Sequence, residues 1–116
     1  FNLMADHSVL LMYPNEYMTD NFIEAGSTVQ IPDPAIRQHI KFVVGTMPGE
    51  ELTTESAYIV CTKEQVRQVS DLPLIGTSKP VFSGESQSFI KLQRWLTNIP
   101  LNQRVEKNLV YHIAKE

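Results

Sequence analysis

The side chains able to do chemistry are few and scattered. Three histidines, His7, His39 and His112, are too far apart for the three-to-five-residue spacing of a local metal pair. Each reads as a surface imidazole, and His39 and His112 fall on the more polar sides of expected strands. Gly84-Glu85-Ser86-Gln87-Ser88 has part of the pattern of a hydrolase nucleophile elbow, in which a tight strand-to-helix turn exposes a serine. The final glycine is missing, however, and no strong strand precedes it. Ser86 is better explained as a helix cap, its hydroxyl accepting from free amides of the first turn. Glu50-Glu51 could share a proton or hold a cation if forced together, but after Pro48-Gly49 they read as solvated charge. Cys61, the single cysteine, excludes an internal disulfide and falls in an expected buried strand, where an apolar setting would raise its pKa and block access. No phosphate-binding glycine loop is present among the five glycines. These residues imply no catalytic group, no metal and no cofactor.

Composition narrows the classes further. A length of 116 residues suits a single domain spanning 1–116, and an apolar share of 42% supports a packed core. Net charge is -3, with acidic and basic residues interspersed. Binding to nucleic acid by phosphate neutralisation needs clustered Lys and Arg, and is not expected. The longest apolar run, residues 9–13, is far short of the roughly 20 residues of a transmembrane helix.

The elements follow from hydrophobic period. Residues 9–13 read as a strand stopped by Pro14-Asn15, with an earlier strand at residues 2–4 and a turn at Asp6-His7. Residues 27–31 and 38–44 alternate as half-buried strands do. Asp33, between Pro32 and Pro34, reads as a turn former. Pro48-Gly49 predicts a type II turn leading to a strand at 55–62, which would pair antiparallel with 38–44. Residues 63–69 could hold a helical turn, and 70–86 read as a loop. Phe89, Leu92, Trp95, Leu96 and Ile99 then fall on one helical stripe, ended by Pro100. Residues 104–114 alternate again as a final strand, with Val105, Leu109, Tyr111 and Ile113 on an apolar face suited to a central position in a sheet. The expected fold is mostly β: an antiparallel, Ig-like β-sandwich with one C-terminal amphipathic helix followed by a final strand.

One region suits recognition. Between residues 13 and 22 lie Tyr13, Asn15, Tyr17 and Phe22, near Met12 and Met18; tyrosine and methionine are common on adaptable binding surfaces. These four residues are the candidate binding set, and Trp95 is assigned to the core.

Order and spacing add a resemblance. Residues 9–15 (Val-Leu-Leu-Met-Tyr-Pro-Asn) are followed by Asp20-Asn21-Phe22-Ile23, Ala25-Gly26, Ile31-Pro32, Phe42-Val43-Val44 and Pro48-Gly49-Glu50. This series resembles the bacterial domain-of-unknown-function family 4384, with the family's usual opening strand absent or cut short, as in a domain truncated at its N-terminus. The resemblance implies a non-catalytic β-rich interaction or accessory module of a larger protein. Similar modules are appended to envelope lipoproteins, caspase-like peptidases and kinases. It implies a partner, a protein or else a glycan, and a periplasmic or envelope location, or a cytoplasmic one beside a kinase or peptidase. Two other readings remain open: a structural piece whose sheet a neighbouring chain completes, and a weak hydrolase using Ser86, His112 and a carboxylate such as Glu50.

Overall fold

A computed structural model describes residues 1–39, 42–66 and 87–116. Its strands are β1 (Asn2–Leu3), β2 (Val9–Leu10), β3 (Leu52–Thr62) and β4 (Arg104–Ala114), and its helix is α1 (Gln87–Thr97). The strands form one antiparallel sheet in the order β2-β1-β3-β4. The molecule is thus mostly strand, with a single sheet and a single α-helix among the described residues. A second sheet, which a sandwich requires, is not among them.

The front hairpin is built by a three-residue loop. Met4 N donates to Ser8 O at 2.9 Å and His7 N to Met4 O at 3.0 Å, while His7 takes φ 68°. A turn followed by a left-handed residue is a favoured three-residue hairpin closure. Asp6 Oδ1 fixes the loop by accepting from Ser8 N at 2.9 Å and from Ser8 Oγ at 2.5 Å. Beyond β1, Phe1 and Tyr58 exchange two backbone bonds of 2.8 and 2.9 Å, which extends the pairing with β3.

β3 and β4 pair along their whole length, from Leu52 opposite Ala114 to Thr62 opposite Arg104. This corrects two expectations. Among the described residues the partners of β3 are β1, opposite Ser56 and Ala57, and β4 along its whole length, and not residues 38–39 or 42–44. Residues 27–31, 38–39 and 42–44 contain no strand, and Ile40 and Lys41 lie outside the described residues. Nor is β4 central among the described strands: it ends their sheet. The expected Pro48-Gly49 turn does form. Glu50 N donates to Met47 O at 3.0 Å and Gly49 takes φ 86°, the positive angle a type II turn requires at its third residue.

Opposed residues of an antiparallel ladder share a face. The register therefore sorts the sheet into an odd face of β3 and β4 (Thr53, Glu55, Ala57, Tyr111, Ile113, joined by Asn2) and an even face (Tyr58 and Arg104, joined by Leu3 and Val9). The helix docks on the even face. Leu92, fully buried, packs with Val9 and Leu11, bordered by Phe1, Leu3, Tyr58, Trp95 and Leu96. Burying one such leucine contributes roughly 1.5–3 kcal/mol. Phe1 and Trp95 meet edge to face at 5.6 Å. The stripe is thus used at Leu92, Trp95, Leu96 and Ile99, whereas Phe89 is exposed.

The end of α1 is held from β4. Arg104 Nη1 donates to the carbonyls of Leu96 and Ile99, and its Nε lies 3.5 Å from Glu106 Oε1. A helix leaves its last carbonyls without intrahelical donors, and the guanidinium supplies them. Glu106 Oε1 also accepts from Tyr58 Oη at 2.5 Å. One cluster thereby joins helix, β3 and β4.

Candidate functional site

The segment carrying Tyr13, Asn15, Tyr17 and Phe22 is irregular and is organised by Asn15. This buried side chain donates from Nδ2 to Met12 O at 2.9 Å and accepts at Oδ1 from the amides of Tyr17 and Met18, each at 2.9 Å. Asn15 and Met18 also exchange backbone bonds at 3.0 and 3.2 Å. Asparagine suits this task because one amide group offers a donor and an acceptor to neighbouring backbone. Tyr13 reaches forward, its hydroxyl donating to Asp20 O at 2.5 Å. Burial, then the Asp20 charge, raises its pKa above the ordinary value. Asp20 Oδ1 in turn accepts from Phe22 N at 3.0 Å.

The four candidate residues therefore divide. Tyr13 and Asn15 shape the backbone. Tyr17 and Phe22 are presented outward, 44% and 79% exposed. Tyr17 stacks on His39, ring centroids 6.0 Å apart with planes 10° from parallel. His39 is joined to Gln38 through Nε2 at 3.1 Å. Tyr13-Pro14 and Ile31-Pro32 are both cis. Asp33, expected as a turn former, caps a short 3-10 helix at Pro34–Ile36 by accepting from Ala35 N at 2.8 Å.

Residues outside this segment form a polar cluster that the sequence did not single out. Asn2, Glu55 and Tyr111 meet on the odd face. Glu55 Oε2 accepts from Asn2 Nδ2 at 3.0 Å and from Tyr111 Oη at 2.7 Å, and Tyr111 Oη lies 2.8 Å from Asn2 Oδ1. A hydroxyl has one proton, so Tyr111 donates to one acceptor at a time. Burial first, then the hydrogen bond to Glu55 and its charge, pushes the Tyr111 hydroxyl up to about 12, with Asn2 opposing. Asn2 and Glu55 are buried. The signal was the register itself: Glu55 faces Tyr111 only once β3 is paired with β4.

The remaining candidates are dispersed. His112 Nδ1 lies 3.0 Å from Thr54 Oγ1, both residues exposed on a part of the even face away from the core cluster. Glu50 Oε2 accepts from Thr53 Oγ1 at 3.3 Å, and Thr53 Oγ1 accepts from Met47 N at 2.8 Å, which ties the turn onto β3. Ser86, its expected cap and the 70–86 loop lie outside the described residues. Cys61 is exposed, not buried, because among the described residues no layer covers the end of β3 that carries it. Among the described residues no group of three His, Cys, Asp or Glu side chains could hold a metal ion, and no helix is long and apolar enough to cross a membrane. A shallow open cleft of about 240 Å³ runs between the β1–β2 loop and β3, lined by Leu3, Met4, His7, Thr54, Ser56 and Val110 among others.

The chain belongs to a family described as a domain of unknown function, DUF4384, whose model matches residues 1–65. No curated protein and no solved structure matches it. The matched part contains β1, β2, the Asn15-centred segment and β3, while α1 and β4 follow it. Within the matched part β1, two residues long, precedes β2 and the Tyr13-Pro14 segment.

Proposed function

We propose that this domain is a non-catalytic interaction module and that its recognition surface is built around the irregular segment from Tyr17 to Phe22. The observation that carries the reading is the division of labour around Asn15. Hydrogen bonds of the buried Asn15 side chain hold the backbone, while Tyr17 and Phe22 are left at the surface. Val43 and Val44 are likewise exposed, at 89% and 56%. Apolar side chains held outward on a fixed backbone bind with little loss of conformational freedom, since the segment is ordered beforehand. Aromatic residues are enriched at the centres of protein interfaces. The partner is accordingly a protein presenting an apolar patch.

The polar groups support the same reading. Glu55 is occupied by Asn2 and Tyr111, and His112 by Thr54, in contacts that join strands. The finer architecture, a sandwich with a second layer over the odd face, remains part of the proposal, as do the accessory role within a larger protein and the envelope location implied by the family resemblance.

The test is enrichment of a partner from native cells on the full protein, set beside Tyr17→Ser/Phe22→Ser and a control, Leu101→Ser, at another exposed apolar position. The expected result is one partner retained by the wild type and the control and lost by the double variant. Equal retention by all three would overturn the proposal.

A further inference from the structure

The outer edge of β4, where no strand pairs among the described residues, carries a reading independent of the aromatic segment. At the two ends of the β3–β4 ladder, Lys63 N donates to Gln103 O at 2.9 Å and Lys115 N to Glu51 O at 3.0 Å. Both bonds join odd-numbered residues in the β3–β4 register. Hydrogen-bonded and non-bonded pairs alternate along an antiparallel ladder. The odd residues of β4 thus bond inward to β3, and the even ones, Arg104, Glu106, Asn108, Val110, His112 and Ala114, aim their N–H and C=O groups outward. The edge is eleven residues long and contains no proline. Val105, Leu109 and Val110 beside it are 71%, 46% and 61% exposed. Natural edges of this length are normally blunted or covered.

We propose that β4 pairs with β4 of a second copy of this chain, antiparallel about a two-fold axis perpendicular to the sheet, extending it from four strands to eight. Such an axis preserves each side-chain face, so even residues must meet even residues and odd must meet odd. The register that pairs the strand end to end sets Leu109 against the second copy's Leu109 at the centre. It also sets Val105 against Ile113, Lys107 against Tyr111, Asn108 against Val110 and Glu106 against His112. No like charges oppose one another. Shifting the centre to Lys107 or Glu106 would place identical charges face to face, which destabilises a cross-strand pair. In the tautomer whose Nδ1 accepts from Thr54 Oγ1, the ring proton of His112 sits on Nε2, a donor for the second copy's Glu106. The exposed apolar residues of β4 meet one another or an uncharged neighbour.

Sedimentation of the full chain should show a dimer. Val110→Pro should yield a monomer, since its N–H points outward and its loss spares the β3–β4 ladder. Leu109→Lys, which sets two ammonium groups at the axis, should do the same and guards against a Val110→Pro variant that fails to fold. In a Cys61→Ser background, Leu109→Cys should form a disulfide-linked dimer, because opposed Cα atoms of a non-bonded pair approach to about 4.5 Å. Lys107→Cys should not. A wild-type monomer up to submillimolar concentration, a dimer indifferent to both β4 substitutions, or equal crosslinking at positions 107 and 109 would each overturn the proposal.

Discussion

Tyr111 and Glu55, separated by 56 positions in the chain, face each other in the β3–β4 register and are joined by a 2.7 Å hydrogen bond on the odd face of the sheet. A carboxylate buried on that face needs donors, and Tyr111 and Asn2 supply them. Tyr111→Phe removes one donor without changing the ring. We expect a loss of about 1.5–3 kcal/mol in urea unfolding, the range for a hydrogen bond to a charged group. A Glu55→Gln/Tyr111→Phe cycle should show the two effects to be non-additive. Additivity would mean that the two groups do not interact.

Alkaline stability follows from the same hydroxyl and from Tyr58. Both are pushed up to about 12 from 10.0, in each case by burial first and then by a glutamate neighbour. The fold holds these protons more tightly than the unfolded chain does. Their contribution is complete below about pH 10 and disappears as pH rises toward 12. The urea midpoint should fall across that window, and Tyr58→Phe/Tyr111→Phe should flatten the fall. An unchanged slope in the double variant would refute the assignment.

Arg104 should matter more than its exposed neighbours on β4. Its guanidinium supplies donors to the carbonyls of Leu96 and Ile99 and pairs with Glu106. Arg104→Met keeps the stem and removes the donors, and should cost about 2 kcal/mol, with amide exchange accelerated first in the last turn of α1. Lys107→Met should change stability by less than about 0.5 kcal/mol, as exposed substitutions usually do.

Core packing gives a sharper contrast. Leu92→Ala should lose about 2–5 kcal/mol, because the side chain is fully enclosed with Val9 and Leu11. Phe89→Ala, one turn earlier on the expected stripe but exposed, should lose much less. Thermal unfolding of the pair would decide it.

Backbone geometry makes a further distinction. Gly49→Ala places a side chain at φ 86° in otherwise open space, so strain alone should cost about 1 kcal/mol. His7→Gly, at φ 68°, relieves the same strain and should be neutral or slightly stabilising. Denaturant midpoints of the two variants should move in opposite directions or leave His7→Gly unchanged.

Local chemistry was legible where a residue type dictates a conformation. Pro48-Gly49 gave its turn, Asp6-His7 its loop, and the Leu92–Ile99 stripe its helix, because each depends on neighbours in sequence. Strand partners were not legible in the same way. Residues 27–31 and 38–44 alternate as well as β4 does, and alternation does not say which segments meet. The choice of β4 as the partner of β3 was therefore missed, and with it the pairing of Glu55 with Tyr111. Burial of Cys61 failed for a related reason: a strand's period shows that two faces differ but not how far a covering layer extends along them. At the candidate site the residue types marked the region, but only the hydrogen bonds of Asn15 separated Tyr13 and Asn15, which shape it, from Tyr17 and Phe22, which it displays.

That separation is tested most directly by measuring partner retention on the Tyr17→Ser/Phe22→Ser variant after its urea midpoint has been shown to equal that of the wild type. Loss of the partner from a fully stable domain is the predicted result. Undiminished retention, with the fold equally intact, would contradict the account.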